Sequence, residues 1–352
     1  MHDGPPVWMM LVGPPSSGGS ELLNLILEVP GIIEAGLIDS AAAFLSGTSE
    51  HEISKDATGG LLRQVGTHGG IVMKDFTSIL SLPTNERKKI MGVFRETYDG
   101  RWTRPVGSDG GKSLRWEGRC GFFAKSTGAI DFESDVSAAL GERWIYFRME
   151  DDPVFERSRR ALINSSVDQQ WRKDLQQMVK AFFVGLDLHF KHSTERRRLK
   201  DYEHARIIRC GEVAAKCRSS VRRDTYHGDI VGIRETEMGT RLTSALGQLY
   251  IGLEAIGVPE PTRWSLLGKI TLDCMPSLRR KLVEAAAKDE TLIGLADRLG
   301  TGKRAVNQAI EDLEVHGVVR YVKRLERGRG LEIELTPQMK QDIEQIQGRL
   351  NV

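Results

Sequence analysis

Residues 11–23 read LVGPPSSGGSELL, and their glycine spacing is that of a loop that holds phosphate. Gly13 and Gly18 bracket a G-x-x-x-x-G turn, with Pro14, Pro15, Ser16 and Ser17 between them. Such a turn aims backbone N–H groups and a helix N-terminus at an anion. Ser20 stands where a hydroxyl ligates Mg²⁺ beside a triphosphate. The lysine that normally follows the second glycine is replaced by Gly19. Its loss removes one charge-assisted contact, worth about 1.5–3 kcal/mol. ATP and Mg²⁺ are the expected ligands, with turnover impaired more than binding, because the transition state needs its charge neutralised. The same residues would also serve as a strand-to-helix turn that merely packs.

A second group lies in GGIVMKDFTSIL, residues 69–80. Asp75, at the end of an apolar run, suits a metal ligand or a carboxylate that orients water. As a bland alternative it caps the helix that follows. Lys74 beside it is a candidate source of the missing positive charge.

Cationic residues form a third group, suited to DNA. Arg101, Arg104, Lys112 and Arg115 flank a glycine-rich GSDGG turn with Trp102 and Trp116, a pattern that reads as a basic, aromatic β-hairpin. Lys303, Arg304, Asn307 and Gln308 open a helix where side chains can meet base edges. Arg320, Lys323, Arg324, Arg327 and Arg329 crowd residues 319–330 of a following hairpin, the wing, against one acid there, Glu326, as phosphate contact requires. A solvated turn and a protein-binding surface are the competing readings. Residues 157–224 add a basic stretch with 17 Lys/Arg against 8 Asp/Glu, which suits a polyanion or a set of solvated helix faces.

The elements that must position these groups follow from hydrophobic patterning. Val7–Val12, Gly70–Lys74, Cys120–Lys125 and Trp144–Arg148 are short, continuous apolar runs, as in parallel strands covered on both faces. Glu86–Tyr98 reads as a helix. Residues 1–150 are thus expected to be an α/β core. Residues 151–287 read as helical throughout, with amphipathic spacing in Trp171–Leu188 and Thr240–Ile256. Residues 288–352 read helix, turn, helix, two strands and a last helix, the layout of a winged helix-turn-helix.

The order GPPSSGGSELL, GGIVMKDFTSILS, basic hairpin, RCGFFAKSTGAID, LGERWIYFRMED resembles the AAA+ ATPase module, and most the minichromosome maintenance (MCM) helicase branch. The resemblance covers residues 7–150, with an echo at MGTRLTSALGQLY (238–250). It implies a P-loop NTPase core, a helical lid and a C-terminal winged helix. It makes Gly13–Ser20 Walker A and puts Asp75 in Walker B. Thr127 falls at the polar sensor, Arg143 at the arginine finger and Arg241 at the second sensor. A surface salt bridge of Arg143 to Glu142 or Glu150 is the alternative to a finger. The chain departs from the branch in lacking the Walker A lysine and a paired Asp-Glu, and no amino-terminal DNA-binding domain is expected ahead of the loop.

The function implied is an oligomeric ATP- and DNA-binding protein, a helicase or replication initiator with weakened ATPase. Self-association into a ring or filament follows if Arg143 is a finger, and an active partner ATPase would fit a degenerate subunit. The alternative is a non-catalytic winged-helix regulator or scaffold. A chain of 352 residues with 40% hydrophobic and 28% charged residues suits a soluble protein of two or three domains. No run is long enough to span a bilayer and no leader is evident, so a cytoplasmic setting is expected. Four cysteines match no metal or redox spacing and read as reduced structural thiols.

Overall fold

The computed structural model describes residues 4–46, 58–107, 111–132, 143–149, 154–165, 169–191, 197–219, 221–224, 226–233, 239–288, 295–298, 300–324 and 331–346. The chain forms two compact units, Met1–Arg197 and Arg198–Val352. This boundary falls inside the segment 151–287 that the sequence groups together.

The first unit is built on β1 (Trp8–Val12), β2 (Ile32–Glu34), β3 (His68–Met73), β6 (Arg119–Ser126) and β7 (Trp144–Arg148), all parallel in the order β2-β3-β6-β1-β7. Four of these are the apolar runs that the sequence marks. The fifth, β2, is three residues long and carries too little pattern to read. Alternation along the strands buries two different faces. On one, Leu11, Val72 and Leu23 pack with Met9, Phe123 and Phe147 beneath α1 (Gly19–Asn24). On the other, Trp8, Phe122 and Trp144 join Phe44, Phe76, Phe94 and Tyr98 in edge-to-face contacts. Such pairs add about 0.5–1.5 kcal/mol each beyond burial. Phe94 and Tyr98 come from α4 (Thr84–Tyr98), whose apolar positions recur at helical spacing. Two shorter helices, α2 (Leu61–Val65) and α3 (Thr77–Leu80), link the strands.

The expected basic hairpin is β4 (Arg101–Val106) paired antiparallel with β5 (Lys112–Glu117). It runs into β6 at Arg119, so its base lies at the amino edge of the parallel sheet, opposite the loop that follows β1. Helices α5 (Val154–Ser165) and α6 (Gln169–Lys191) complete the unit. Gln176 donates to the Asn24 carbonyl at 3.0 Å, which sets α6 beside α1.

The second unit is helical, with α7 (Asp201–Arg218), α8 (Thr240–Ala255), α9 (Glu260–Asp273) and α10 (Ser277–Ala287) around a core of Ile207, Cys210, Leu242, Leu246, Tyr250 and Leu267. The expectation of helix throughout 151–287 is corrected here. Antiparallel strands β8 (Val221–Arg223) and β9 (Ile230–Ile233) interrupt it, because Val221, Ile230, Val231 and Ile233 flank a turn rich in Asp and Gly. After α10 come α11 (Leu295–Arg298), α12 (Lys303–Val315), the hairpin β10 (Val319–Arg324) with β11 (Leu331–Leu335), and α13 (Pro337–Ile346). α12 buries Val306, Ala309, Ile310 and Leu313, and packs against α10 and β10.

Candidate nucleotide and nucleic-acid sites

The glycine loop leaves the carboxyl end of β1 between the ends of its two neighbours. Gly13 donates its N–H to the Ser126 carbonyl at the end of β6, at 3.1 Å. The Ser17 amide donates to the Pro14 carbonyl at 3.2 Å, which closes the turn. Ser16 (φ 62°) and Gly18 (φ 83°) both take the left-handed conformation. For a serine that conformation costs roughly 1 kcal/mol, and such outliers gather where backbone is shaped for a ligand. Gly18 then starts α1, and its carbonyl receives the Leu22 amide at 3.1 Å.

Gly19 is buried, and the space beside it is filled. A Cβ there would lie 3.1 Å from Lys125 Cγ, 3.4 Å from Lys125 Cδ and 3.2 Å from Met149 Sδ. Lys125 pairs with Leu11 in the parallel register, so its side chain rises on the α1 face of the sheet and runs past the loop. Two further bonds beyond Cδ keep its ammonium within roughly 6 Å of that point. Among the described residues no carboxylate pairs with this ammonium. Sequence reading missed Lys125; the signal lay in a lone lysine near the end of an apolar strand, CGFFAKS.

Lys74 is placed differently. β6 separates β3 from β1, which at strand spacing puts them roughly 10 Å apart. Lys74 forms an ion pair with Glu34 of β2 at 2.7 Å, directed away from the loop. Asp75 is exposed, and its Oδ1 accepts the Ser78 amide at 3.3 Å while Ser78 Oγ donates to the Asp75 carbonyl at 2.8 Å. The carboxylate thus bonds into the first turn of α3 from the residue ahead of its N-cap, Phe76. Lys74 and Asp75 line a cavity of about 160 Å³ with Ala35, Leu37, Met73 and Ile79, and no loop residue takes part in it. The residues expected to form one site therefore divide into two places on the carboxyl edge.

Thr127 follows Ser126, the residue that meets the loop, but its own amide and hydroxyl lead to α3. The amide donates to Thr77 Oγ1 at 3.2 Å, the two hydroxyls standing 3.4 Å apart. Arg143 departs from a displayed finger. It is 5% exposed, its guanidinium sits 5.5 Å from the Tyr98 ring centroid, and it reaches Asp99 at 3.6 Å. It is a buried guanidinium at the amino edge of β7 paired with the half-exposed Asp99; Glu142 and Glu150 lie outside the described residues. Arg241 belongs to the second unit, exposed on the first turn of α8.

No protein-family model matches this chain, and no curated protein matches it. Among solved structures, it aligns with the apo A form of the NrS-1 C-terminal region (residues 305–718) at 11% identity. That alignment takes in 94% of this chain and 66% of the other, with a TM-score of 0.19. No shared fold follows from such a score. The parallel α/β sheet stands on the geometry alone. Among the described residues no helix is long and apolar enough to cross a membrane.

On the β4–β5 hairpin, Arg101 and Arg115 lie on the exposed face and Lys112 near the turn is exposed. Arg104 points the other way. It donates to the Leu45 carbonyl and, with Trp116 Nε1 on the Gly66 carbonyl at 2.8 Å, pins the hairpin to its own unit. Arg104 is therefore corrected from a DNA contact to an anchor.

In the second unit Lys303, Arg304 and Asn307 are exposed at the start of α12, and Gln308 is half-buried. Arg304 Nη2 donates to the His227 carbonyl at 3.3 Å, so it is already engaged. Arg223 of β8 donates to Glu311 Oε2 at 2.7 Å, Asp312 Oδ1 at 2.5 Å and the Gln308 carbonyl at 3.0 Å. Burial pulls the Arg223 guanidinium pKa down, but the bonds to Glu311 and Asp312 outweigh it and raise it above the ordinary arginine value. Asp312 also receives Arg279. Arg320 pairs across the strands with Glu334. That pair is exposed, so phosphate can displace it at little cost. The side chains of Lys323 and Arg324, and residues Arg327 and Arg329, lie outside the described residues.

Proposed function

We propose that the chain is a nucleotide-binding, DNA-binding protein with an AAA+-like core of the MCM type and a C-terminal winged helix, and that it binds ATP·Mg²⁺ with weakened turnover. The observation that carries this reading is the loop Gly13–Ser20 with Lys125 beside Gly19. A ligand in an open α/β sheet sits outside the carboxyl ends of the strands where the strand order turns back. β1 is such a strand, flanked by β6 on one side and β7 on the other. Backbone amides of the turn would hold the phosphates, Ser20 would hold Mg²⁺, and Lys125 would deliver from the neighbouring strand the charge that Gly19 lacks. Lys74 is better suited to its pair with Glu34, and Asp75 to its bonds with Ser78 in the first turn of α3. The hydrolytic step therefore has the weaker support, and Arg143, being buried, lends none to a ring or filament.

Binding without catalysis is the second reading, favoured by the Lys74–Glu34 ion pair where a metal carboxylate would stand. Calorimetry with ATP·Mg²⁺, followed by hydrolysis assays with and without single-stranded DNA, separates the two. Binding with DNA-stimulated turnover supports the motor, and binding alone supports the regulator. A flat titration at millimolar nucleotide removes the nucleotide reading altogether.

A further inference from the structure

Resting on the DNA reading of the C-terminal helices, we propose that the β8–β9 hairpin is a latch that withholds the outward face of α12 from duplex DNA. The core side of α12 is set by Val306, Ala309, Ile310 and Leu313. At 100° per residue, Arg304, Gln308 and Glu311 fall on the opposite side and Asp312 on the adjoining flank. The hairpin occupies that side through Arg223 on Glu311, Asp312 and the Gln308 carbonyl, and through the His227 carbonyl on Arg304. The flank carrying Lys303 and Asn307 stays clear of the hairpin, while Arg304 and Glu311 are partly accessible but already engaged by it. A major groove about 12 Å wide admits a helix or a two-stranded ribbon. It does not admit a helix with a ribbon laid along it.

The attachment has the character of a clasp rather than a core. The strands are three and four residues long with a register shift between them, and an isolated two-stranded hairpin is marginal in water. Tyr226 is 87% and Val231 58% exposed, so apolar burial holds little of it. What holds it is a set of guanidinium bonds to two carboxylates and two carbonyls, and DNA phosphates compete for the same guanidinium groups.

The test uses the full chain and a labelled duplex read by fluorescence anisotropy. Arg223→Ala removes the clasp. Gly228→Val is the second variant: its φ of +81° strains any side chain there, and a Cβ would meet Arg304 Nη2 at 2.7 Å and displace it from the His227 carbonyl, so the turn is loosened without touching Asp312. Both variants should bind DNA at least about fivefold more tightly, since the apparent affinity scales with the fraction of unlatched chain. Gln308→Cys supplies a thiol probe against native cysteines that are all buried, and maleimide should label it faster in either released background. Unchanged affinity in the released variants, with binding still lost on Lys303→Ala, overturns the latch and leaves the DNA reading standing. No duplex binding by any variant at low salt overturns the DNA reading, and the latch with it. If neither released variant folds by circular dichroism, the hairpin is a structural strap and the proposal fails.

Discussion

The side chain of Lys125 runs so close to Gly19 that a Cβ at residue 19 would sit 3.1 Å from Lys125 Cγ. Glycine at the lysine position of the loop and lysine on the neighbouring strand therefore occupy one space between them. Each accounts for the other. Restoring the usual residue by Gly19→Lys should fail to improve nucleotide affinity, because Lys125 and Met149 already fill the place where its side chain would start. The double variant Gly19→Lys with Lys125→Ala should recover what it lacks. Lys125→Ala alone should weaken a fluorescent ATP analogue by about tenfold or more, the equivalent of one charge-assisted contact. Lys74→Ala should leave affinity unchanged. The reverse pattern, with Lys74 critical and Lys125 neutral, sinks the assignment.

Arg148 and Asp131 form a two-pronged ion pair at 2.9 and 2.6 Å that ties the short turn Gly128–Phe132 to β7. Their side chains are only 11% and 12% exposed. Removing one member of such a pair leaves the other charge stranded, which costs about 3–5 kcal/mol. Arg148→Ala should therefore lower stability by that order in urea unfolding, and Arg148→Ala with Asp131→Ala should lose less than the single change. A single-variant loss below about 1 kcal/mol, the range of a surface pair, would show that water already screens it.

Four of the five core strands were legible because a parallel strand covered on both faces must be apolar along its length, as IVM and WIYF are. β2 was not, since three residues cannot display a period. The β4–β5 hairpin was legible from its turn chemistry. The β8–β9 hairpin was not, because its strands sit inside a helical stretch and depend on a salt link to a helix 80 residues later. Of the site, the loop could be read from glycine spacing. Lys125 could not, because only the register of β6 against β1 brings it beside Gly19. Arg143 misled for the mirror reason: sequence gives its place before a strand, while burial against Tyr98 depends on the packing of α4.

Cys120, Cys210, Cys217 and Cys274 are buried. Burial pushes the Cys120 thiol up to about 12, Cys210 to about 11 and Cys217 to about 12, and a thiol that stays protonated is a poor nucleophile. Native protein at neutral pH should thus react with a chromogenic disulfide only as fast as it unfolds, and urea should release four thiols together. One thiol reacting rapidly in the folded state would contradict the packing around it.

Asp224 organises the turn of the proposed latch, and its charge makes that turn sensitive to strong acid. Its carboxylate accepts backbone N–H groups of His227 and Tyr226 at 2.7 Å and of Asp229 at 3.0 Å. The His227 bond leads the others in holding its pKa below the usual carboxylate range. A depressed folded pKa stabilises the folded form fully above the unfolded value, and that contribution fades as pH falls through the folded value. The turn should therefore keep its amide protection unchanged from about pH 7 to about pH 5 and lose it only below the ordinary carboxylate pKa of about 4. Hydrogen exchange at Tyr226, His227 and Asp229 across that range is the measurement, with Asp224→Asn, which lacks the titrating charge, expected to be flat. Protection lost already between about pH 7 and 5 would show that the Asp224 carboxylate does not control the turn.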